Sequence, residues 1–282
     1  MTAKTYLARA KVNLCLHIVG RRASGYHLLE SLVAFPKIGD VMVVAPSSVG
    51  VSLRVDGPFA CALSADADNL VLRAAKAIWR PGLNAALRLE KNLPIASGIG
   101  GGSSDAATAL RALGELWAID GEALQHVAPR LGADVAVCLA APTPQWMTGI
   151  GADLRPAPAL PDGWIVLVNP GCALATSSVF NALLKRNNAG FDVPKQFKNF
   201  ADLIAWLQTM RNDLTAAAVD LAPEIGGVLD ALGAHESCAL ARMSGSGATC
   251  FGLFEAKSEA KRVESVIRAA HPAWWITAAP LM

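Results

Sequence analysis

Leu93-Pro94-Ile95-Ala96-Ser97-Gly98-Ile99-Gly100-Gly101-Gly102-Ser103-Ser104-Asp105 leads from a strand-like run into an alanine-rich helical pattern. Between Gly98 and Gly102 every residue but Ile99 is glycine, a poor composition for the interior of a strand or helix. Without Cβ atoms the backbone can take positive φ, approach a ligand closely and point successive N–H groups into one concavity. A helix starting at Ser103, with that serine as its cap, adds unpaired N–H groups and partial positive charge. The guest such a concavity suits is a phosphate. A Walker loop is excluded because Gly102 is followed by Ser103 and not by lysine. The dinucleotide fingerprint G-x-G-x-x-G also fails, since the third glycine would fall on Ser103 or Asp105. A flexible linker is the competing reading, but linkers do not usually run into a periodic helix such as Ala106, Leu110, Leu113 and Trp117.

Upstream, Ala10, Val12, Leu14, Leu16 and Ile18 alternate with Lys11, Asn13, Cys15 and His17, which predicts one strand over Tyr6 to Val19 with a polar face. That face is either a solvated surface or, beside a phosphate loop, a source of the cation and the amide that phosphoryl transfer requires. Gly25-Tyr26-His27 follows a turn. Asp134, in Leu131-Gly132-Ala133-Asp134-Val135, is expected near the end of a helix. It is either a C-terminal turn residue or a carboxylate that accepts a hydroxyl proton. Ser244-Gly245-Ser246-Gly247 reads as a hairpin turn whose serines could line a pocket.

The chain has 282 residues, 53% of them hydrophobic and 17% charged, with a formal net charge of +2. This composition describes a globular protein large enough for a substantial core. The longest uncharged run, Gly163 to Leu184, is broken by Asn169-Pro170-Gly171, so no membrane span is expected. Near-neutral charge argues against a nucleic-acid partner. Lys4, Arg9 and Lys11 precede an apolar stretch, but Asn13, His17 and Arg21-Arg22 interrupt the pattern of a secretion signal, and a cytoplasmic location is expected. The six cysteines lack CxxC spacing and no histidine pair has zinc-helix spacing, so no protein-held transition metal is expected.

Five prolines between 142 and 161 suggest a division near residue 155, into 1–155 and 156–282. Strands are expected at 41–45, 51–55 and 85–91 and helices at 69–79, 103–117 and 122–131. Beyond the division, strands at 164–168, 238–243, 248–254 and 274–278 alternate with helices at 176–185, 199–210, 222–232 and 257–270. Both parts read as α+β layers.

Three segments give the chain its resemblance to the GHMP superfamily of small-molecule kinases: Ala10 to Leu14, Pro94 to Ala107 and Met243 to Cys250. Gly20 to His27, Asp68 to Val71, Leu131 to Val135 and Asn212 to Leu214 narrow it to members acting on a cytidine-diphosphate-linked alcohol. The resemblance implies a ribosomal-S5-domain-2-like N-terminal domain and a ferredoxin-like C-terminal domain. It also implies transfer of the γ-phosphoryl of ATP, assisted by Mg²⁺, to the 2-hydroxyl of cytidine-diphosphate methylerythritol, by a monomer or weak homodimer. By position, Lys11 and Asp134 would be catalytic. Pro94, Ser97, Gly98, Ile99, Gly100, Gly101, Gly102, Ser103 and Ser104 would bind the nucleotide. Asn13 would contact the acceptor, Tyr26, His27 and Phe180 would grip the cytosine, and Thr176 would meet the substrate's other polar groups. Arg9, Ser97 and Ala152-Asp153 depart from the family pattern without removing a catalytic group. A homoserine- or mevalonate-type kinase is the alternative within the superfamily, disfavoured because a small aliphatic alcohol offers no ring for Tyr26 and His27. A non-catalytic nucleotide-binding sensor is the alternative outside catalysis, disfavoured because Lys11 and Asp134 are both present.

Overall fold

The computed structural model describes residues 2–63 and 68–282. In chain order its strands are β1 (Lys4–Arg9), β2 (Val12–Asn13), β3 (His17–Arg21), β4 (His27–Ala34), β5 (Gly39–Pro46), β6 (Val51–Asp56), β7 (Ala85–Glu90), β8 (Gln145–Thr148), β9 (Asp153–Pro156), β10 (Trp164–Asn169), β11 (Leu240–Met243), β12 (Cys250–Phe254) and β13 (Trp275–Pro280). The helices are α1 (Leu70–Ile78), α2 (Gly101–Trp117), α3 (Gly121–Leu131), α4 (Ala133–Leu139), α5 (Thr176–Asn181), α6 (Phe200–Gln208), α7 (Thr215–Leu221), α8 (Glu224–Gly233) and α9 (Lys257–Ala270). The chain forms two compact units that alternate along the sequence: Met1–Ala10, Ile38–Ile95 and Gly100–Ala141 in one, Lys11–Lys37, Ala96–Ile99 and Pro142–Met282 in the other.

The first unit is a four-stranded sheet in the order β1-β5-β7-β6, antiparallel except for the parallel β6 and β7 pair. α2 packs on β1 and β5 and also against α1, α3 and α4. With neighbours on so many sides, the helix buries Ser104 to Leu110 without a break. The expected one-sided stripe is therefore replaced by small side chains all round, which let the neighbours approach. A Cβ on Gly114 would lie 2.8 Å from a methyl of Leu124 on α3.

The second unit holds two sheets. β2-β4-β8-β9, with β3 also paired to β4, is antiparallel. The other sheet has the order β11-β12-β10-β13, all antiparallel, with α8 and α9 packed on it. That strand order is the ferredoxin-like arrangement expected of the C-terminal part, and the whole is α+β.

The continuous strand expected over Tyr6 to Val19 is three short strands, because the segment changes partners: β1 pairs with β5, and β2 and β3 pair with β4. Nor does the polar face meet solvent. Lys11 is 6% exposed, Asn13 0% and His17 1%, as deeply buried as the apolar residues between them. The helix expected at 222–232 is α8, and α7 before it, α4, β4, β8 and β9 are additions to the expected elements. Among the described residues no helix is long and apolar enough to cross a membrane.

Candidate active site

The glycine loop enters α2 through Gly100, whose φ of +64° is left-handed, and no side chain caps the helix. Ser103 is thus the third helical residue and not the cap, a correction that follows from glycine's freedom to start the helix in a conformation serine resists. The first intrahelical bond runs from the Ser104 amide to the Gly100 carbonyl at 2.8 Å. The amides of Gly101, Gly102 and Ser103 precede it and have no partner within the helix. Gly102 has no heavy atom within 4 Å of where a Cβ would stand, so its face is open. Ser104 is spent on structure: its amide is inside the helix and its buried hydroxyl donates to the Arg9 carbonyl at 2.6 Å. Pro94 is buried and, as proline, has no N–H to offer.

Beneath the start of α2 lies an ion cluster that the sequence did not suggest. The Lys91 ammonium donates to Asp40 and, at 2.9 Å, to Asp105, and all three side chains are buried. The other Asp40 oxygen accepts the amides of Asn92 at 2.6 Å and Leu93 at 2.8 Å, fixing the chain just before Pro94. Burial works against the Lys91 charge, but the two carboxylates outweigh it and raise its pKa. Burial and the nearby Asp40 push the Asp105 carboxyl well above the usual range, against the pull of Lys91. Alongside, Leu63, Asp68, Asn69, Leu89, Gly102 and Asp105 help to line a cavity of about 250 Å³. Asp134 stands in the first turn of α4, half-buried, and not at the end of a helix, because Gly132 separates α3 from a new helix.

Within the second unit, the loop residues Ser97, Gly98 and Ile99 meet both other motifs. The Lys11 amide donates to the Ile99 carbonyl at 2.8 Å and the Thr249 amide to the Ser97 carbonyl at 3.1 Å. A Cβ on Gly98, where φ is +76°, would lie 2.3 Å from the Gly247 carbonyl oxygen. Ser244 is fully buried; its hydroxyl accepts the Asn13 amide at 3.1 Å and donates to the Gly98 carbonyl at 3.3 Å. The turn expected at 244–247 is thus chiefly a backbone-packing element, and Ser246, hydrogen-bonded to Thr176 at 2.9 Å, is the serine that joins another site residue. The Asn13 side-chain amide donates to Ser31 at 2.7 Å, while its Oδ1 is buried without a partner.

Tyr26, His27 and Phe180 belong to this unit as well. The His27 and Phe180 rings lie 5.0 Å apart, tilted by 33°, and Tyr26 is 64% exposed. The Nε2 atom of His27 is buried and without a partner. Burial, with the charges of Arg21 and Arg186, lowers the His27 pKa and so favours the neutral ring. Lys11 and Asp134 belong to different units.

Residues 69–141 match the family model of the GHMP kinases N terminal domain, and residues 182–273 that of the GHMP kinases C terminal domain. A 4-diphosphocytidyl-2-C-methyl-D-erythritol kinase of Cereibacter sphaeroides is 49% identical over 95% of this chain and 96% of its own. The protein of that name from Paramagnetospirillum magneticum is 47% identical over 100% of both. The crystal structure of a 4-(cytidine 5'-diphospho)-2C-methyl-D-erythritol kinase matches with a TM-score of 0.80 and 33% identity, covering 98% of each chain.

Proposed function

Because the chain belongs to the GHMP kinases and, within them, to the 4-diphosphocytidyl-2-C-methyl-D-erythritol kinases, we infer that it transfers the γ-phosphoryl of ATP to the 2-hydroxyl of 4-diphosphocytidyl-2-C-methyl-D-erythritol, a step of the non-mevalonate route to isoprenoids. The observation that carries the acceptor reading is the His27 and Phe180 ring pair with an unpartnered neutral ring nitrogen. A pyrimidine base supplies the face that Phe180 and Tyr26 stack on and the polar edge that His27 Nε2 requires. Thr176 would meet the neighbouring polar groups of the same substrate.

At the donor end, the amides of Gly101, Gly102 and Ser103 would cradle the phosphates, with Gly98 to Gly100 shaping the loop and Pro94, Ser97 and Ile99 holding its approach. The adjoining cavity would take the nucleoside. Among the described residues no group of three or more His, Cys, Asp or Glu side chains could hold a metal ion. Mg²⁺ carried by the nucleotide phosphates would offset their charge, with the Ser103 hydroxyl as an oxygen donor beside them.

In the transfer, the acceptor oxygen bonds to the γ-phosphorus as the bond to the β,γ-bridging oxygen breaks, and ADP leaves with that electron pair. Asp134 would orient the hydroxyl and take its proton, Lys11 would offset charge at the transferring group, and Asn13 Oδ1 would accept from an acceptor hydroxyl. Both reactants are soluble small molecules, which fits an enzyme of the cytoplasm. A division of the sequence near residue 155 would separate an ATP-binding N-terminal domain from the C-terminal one.

Replacing Asp134 by Asn is expected to lower kcat by about 100-fold or more, since acid–base assistance contributes roughly 10² to 10⁴, while ATP binding persists. Steady-state turnover and equilibrium binding of ATP test this; full turnover in the variant removes Asp134 from the chemistry. Offering homoserine or mevalonate in place of the cytidine-linked alcohol should yield no ATP consumption above background.

A further inference from the structure

Two arginines flank the aromatic platform without an acidic partner. Arg21 closes β3, and its Nε donates to the Gly25 carbonyl at 3.0 Å, folding the guanidinium back on the turn that leads to Tyr26 and His27. Arg186 lies five residues beyond Asn181, the last residue of α5, and its Nη2 reaches the Asn181 carbonyl at 3.4 Å, beside Phe180. The two guanidiniums are thus fastened to the two chain segments that carry the platform. Both lie close enough to His27 to act on its charge, and no carboxylate acts on that ring.

Among the described residues Arg21 and Arg186 form no ion pair, and their hydrogen bonds go to the backbone carbonyls of Gly25 and Asn181, so both guanidiniums keep donors beside the platform. The Nε of Arg186 is moreover buried with no hydrogen-bond partner. A neutral base needs no such surroundings, and an orphaned buried guanidinium N–H is costly unless a ligand supplies the acceptor. A pyrimidine seated on the platform carries its own acceptors one ribose away, and the planar fork of arginine matches phosphate oxygens.

We propose that Arg21 and Arg186 bind the diphosphate of the acceptor substrate and set its preference for a cytidine diphosphate over a cytidine without phosphates. The inference rests on the assignment of His27, Phe180 and Tyr26 to the base. Arg186 lies where the chain's family motifs are sparsest, so sequence patterns alone do not point to it.

Calorimetric titration with cytidine, CMP and CDP, in saturating ADP to fill the donor site, tests the inference on the intact enzyme. Wild type should bind in the order CDP, CMP, cytidine from tightest to weakest. Arg21→Met and Arg186→Met should each weaken CDP by about tenfold, the size of one charge-assisted hydrogen bond, and leave cytidine unchanged. The CDP advantage should also shrink with added salt in wild type and less so in the variants. CDP retaining its full advantage in the double variant overturns the proposal. Phe180→Ala separates the two layers: if it weakens cytidine and CDP alike while the arginine variants do nothing, the base assignment stands and the diphosphate assignment falls. If Phe180→Ala leaves cytidine binding untouched, both fall. Arg21 is exposed, so its variant keeps the test open should Arg186→Met fail to fold.

Discussion

The two glycine-rich segments, Gly98 to Gly102 and Ser244 to Gly247, share a composition and differ in use. At Gly102 the space for a side chain is empty, and the amides around it have no helical partner. At Gly247 a Cβ would fall 2.8 Å from the Met243 sulfur, and at Gly245 it would fall 2.9 Å from the Gly98 carbonyl oxygen. The later segment therefore uses glycine to let the Gly98 backbone and the Met243 side chain approach. The earlier one divides the labour: Gly98 packs against the later turn, Gly100 opens the helix and Gly102 leaves a ligand room. Glycine content signals close approach, and only the surroundings say whether a ligand or the protein itself approaches.

The largest effect should come from beneath the open segment. Lys91→Met leaves Asp40 and Asp105 buried without a counter-charge and should cost about 3 to 5 kcal/mol, read by urea unfolding. A loss under 1 kcal/mol would mean that the cluster does not support the loop. Gly98→Ala comes next: positive φ and the carbonyl of Gly247 both oppose a methyl group, and a loss of about 3 kcal/mol is expected. Gly102→Ala sharpens the contrast, because melting should stay within about 1 kcal/mol of wild type or improve while the KM for ATP rises. Unchanged ATP affinity in that variant would remove phosphate from the open face.

A pH series probes the same cluster with a smaller effect. Because the folded Asp105 pKa lies above its ordinary value, the folded state binds more protons than the unfolded one. This contribution is full below the unfolded carboxylate pKa and is lost as pH rises through the raised folded value. Asp105→Asn cannot titrate, so its stability relative to wild type should increase as pH rises across that window. A difference that stays flat with pH would show that the folded Asp105 pKa is not raised.

Much of the fold was legible where one face is buried and local signals agree. α1 is capped by Asn69, whose side chain accepts the Val71 amide, and α9 and the strands of the ferredoxin-like sheet lie close to their expected limits. β4 escaped because it pairs on both edges and its Leu32, Val33 and Ala34 are all buried, which erases the alternation that marks a half-exposed strand. α4 is short and carries two valines, so packing against α2 rather than local preference sustains it. The phosphate loop and the His27 platform were legible as compact motifs. The Lys91, Asp40 and Asp105 cluster was not, since Asp40 and Lys91 are 51 residues apart and nothing local couples them.

The alternation of the chain between its two units also bears on how the polypeptide is made. A ribosome delivers β2, β3 and β4 early, yet β8, their companion across β4, follows more than a hundred residues later. Until then the nascent chain carries Leu32, Val33 and Ala34 with one edge of β4 unpaired, while the segments on either side can already collapse around α2. Slow translation between these stretches would lengthen the period in which a chaperone finds something to hold.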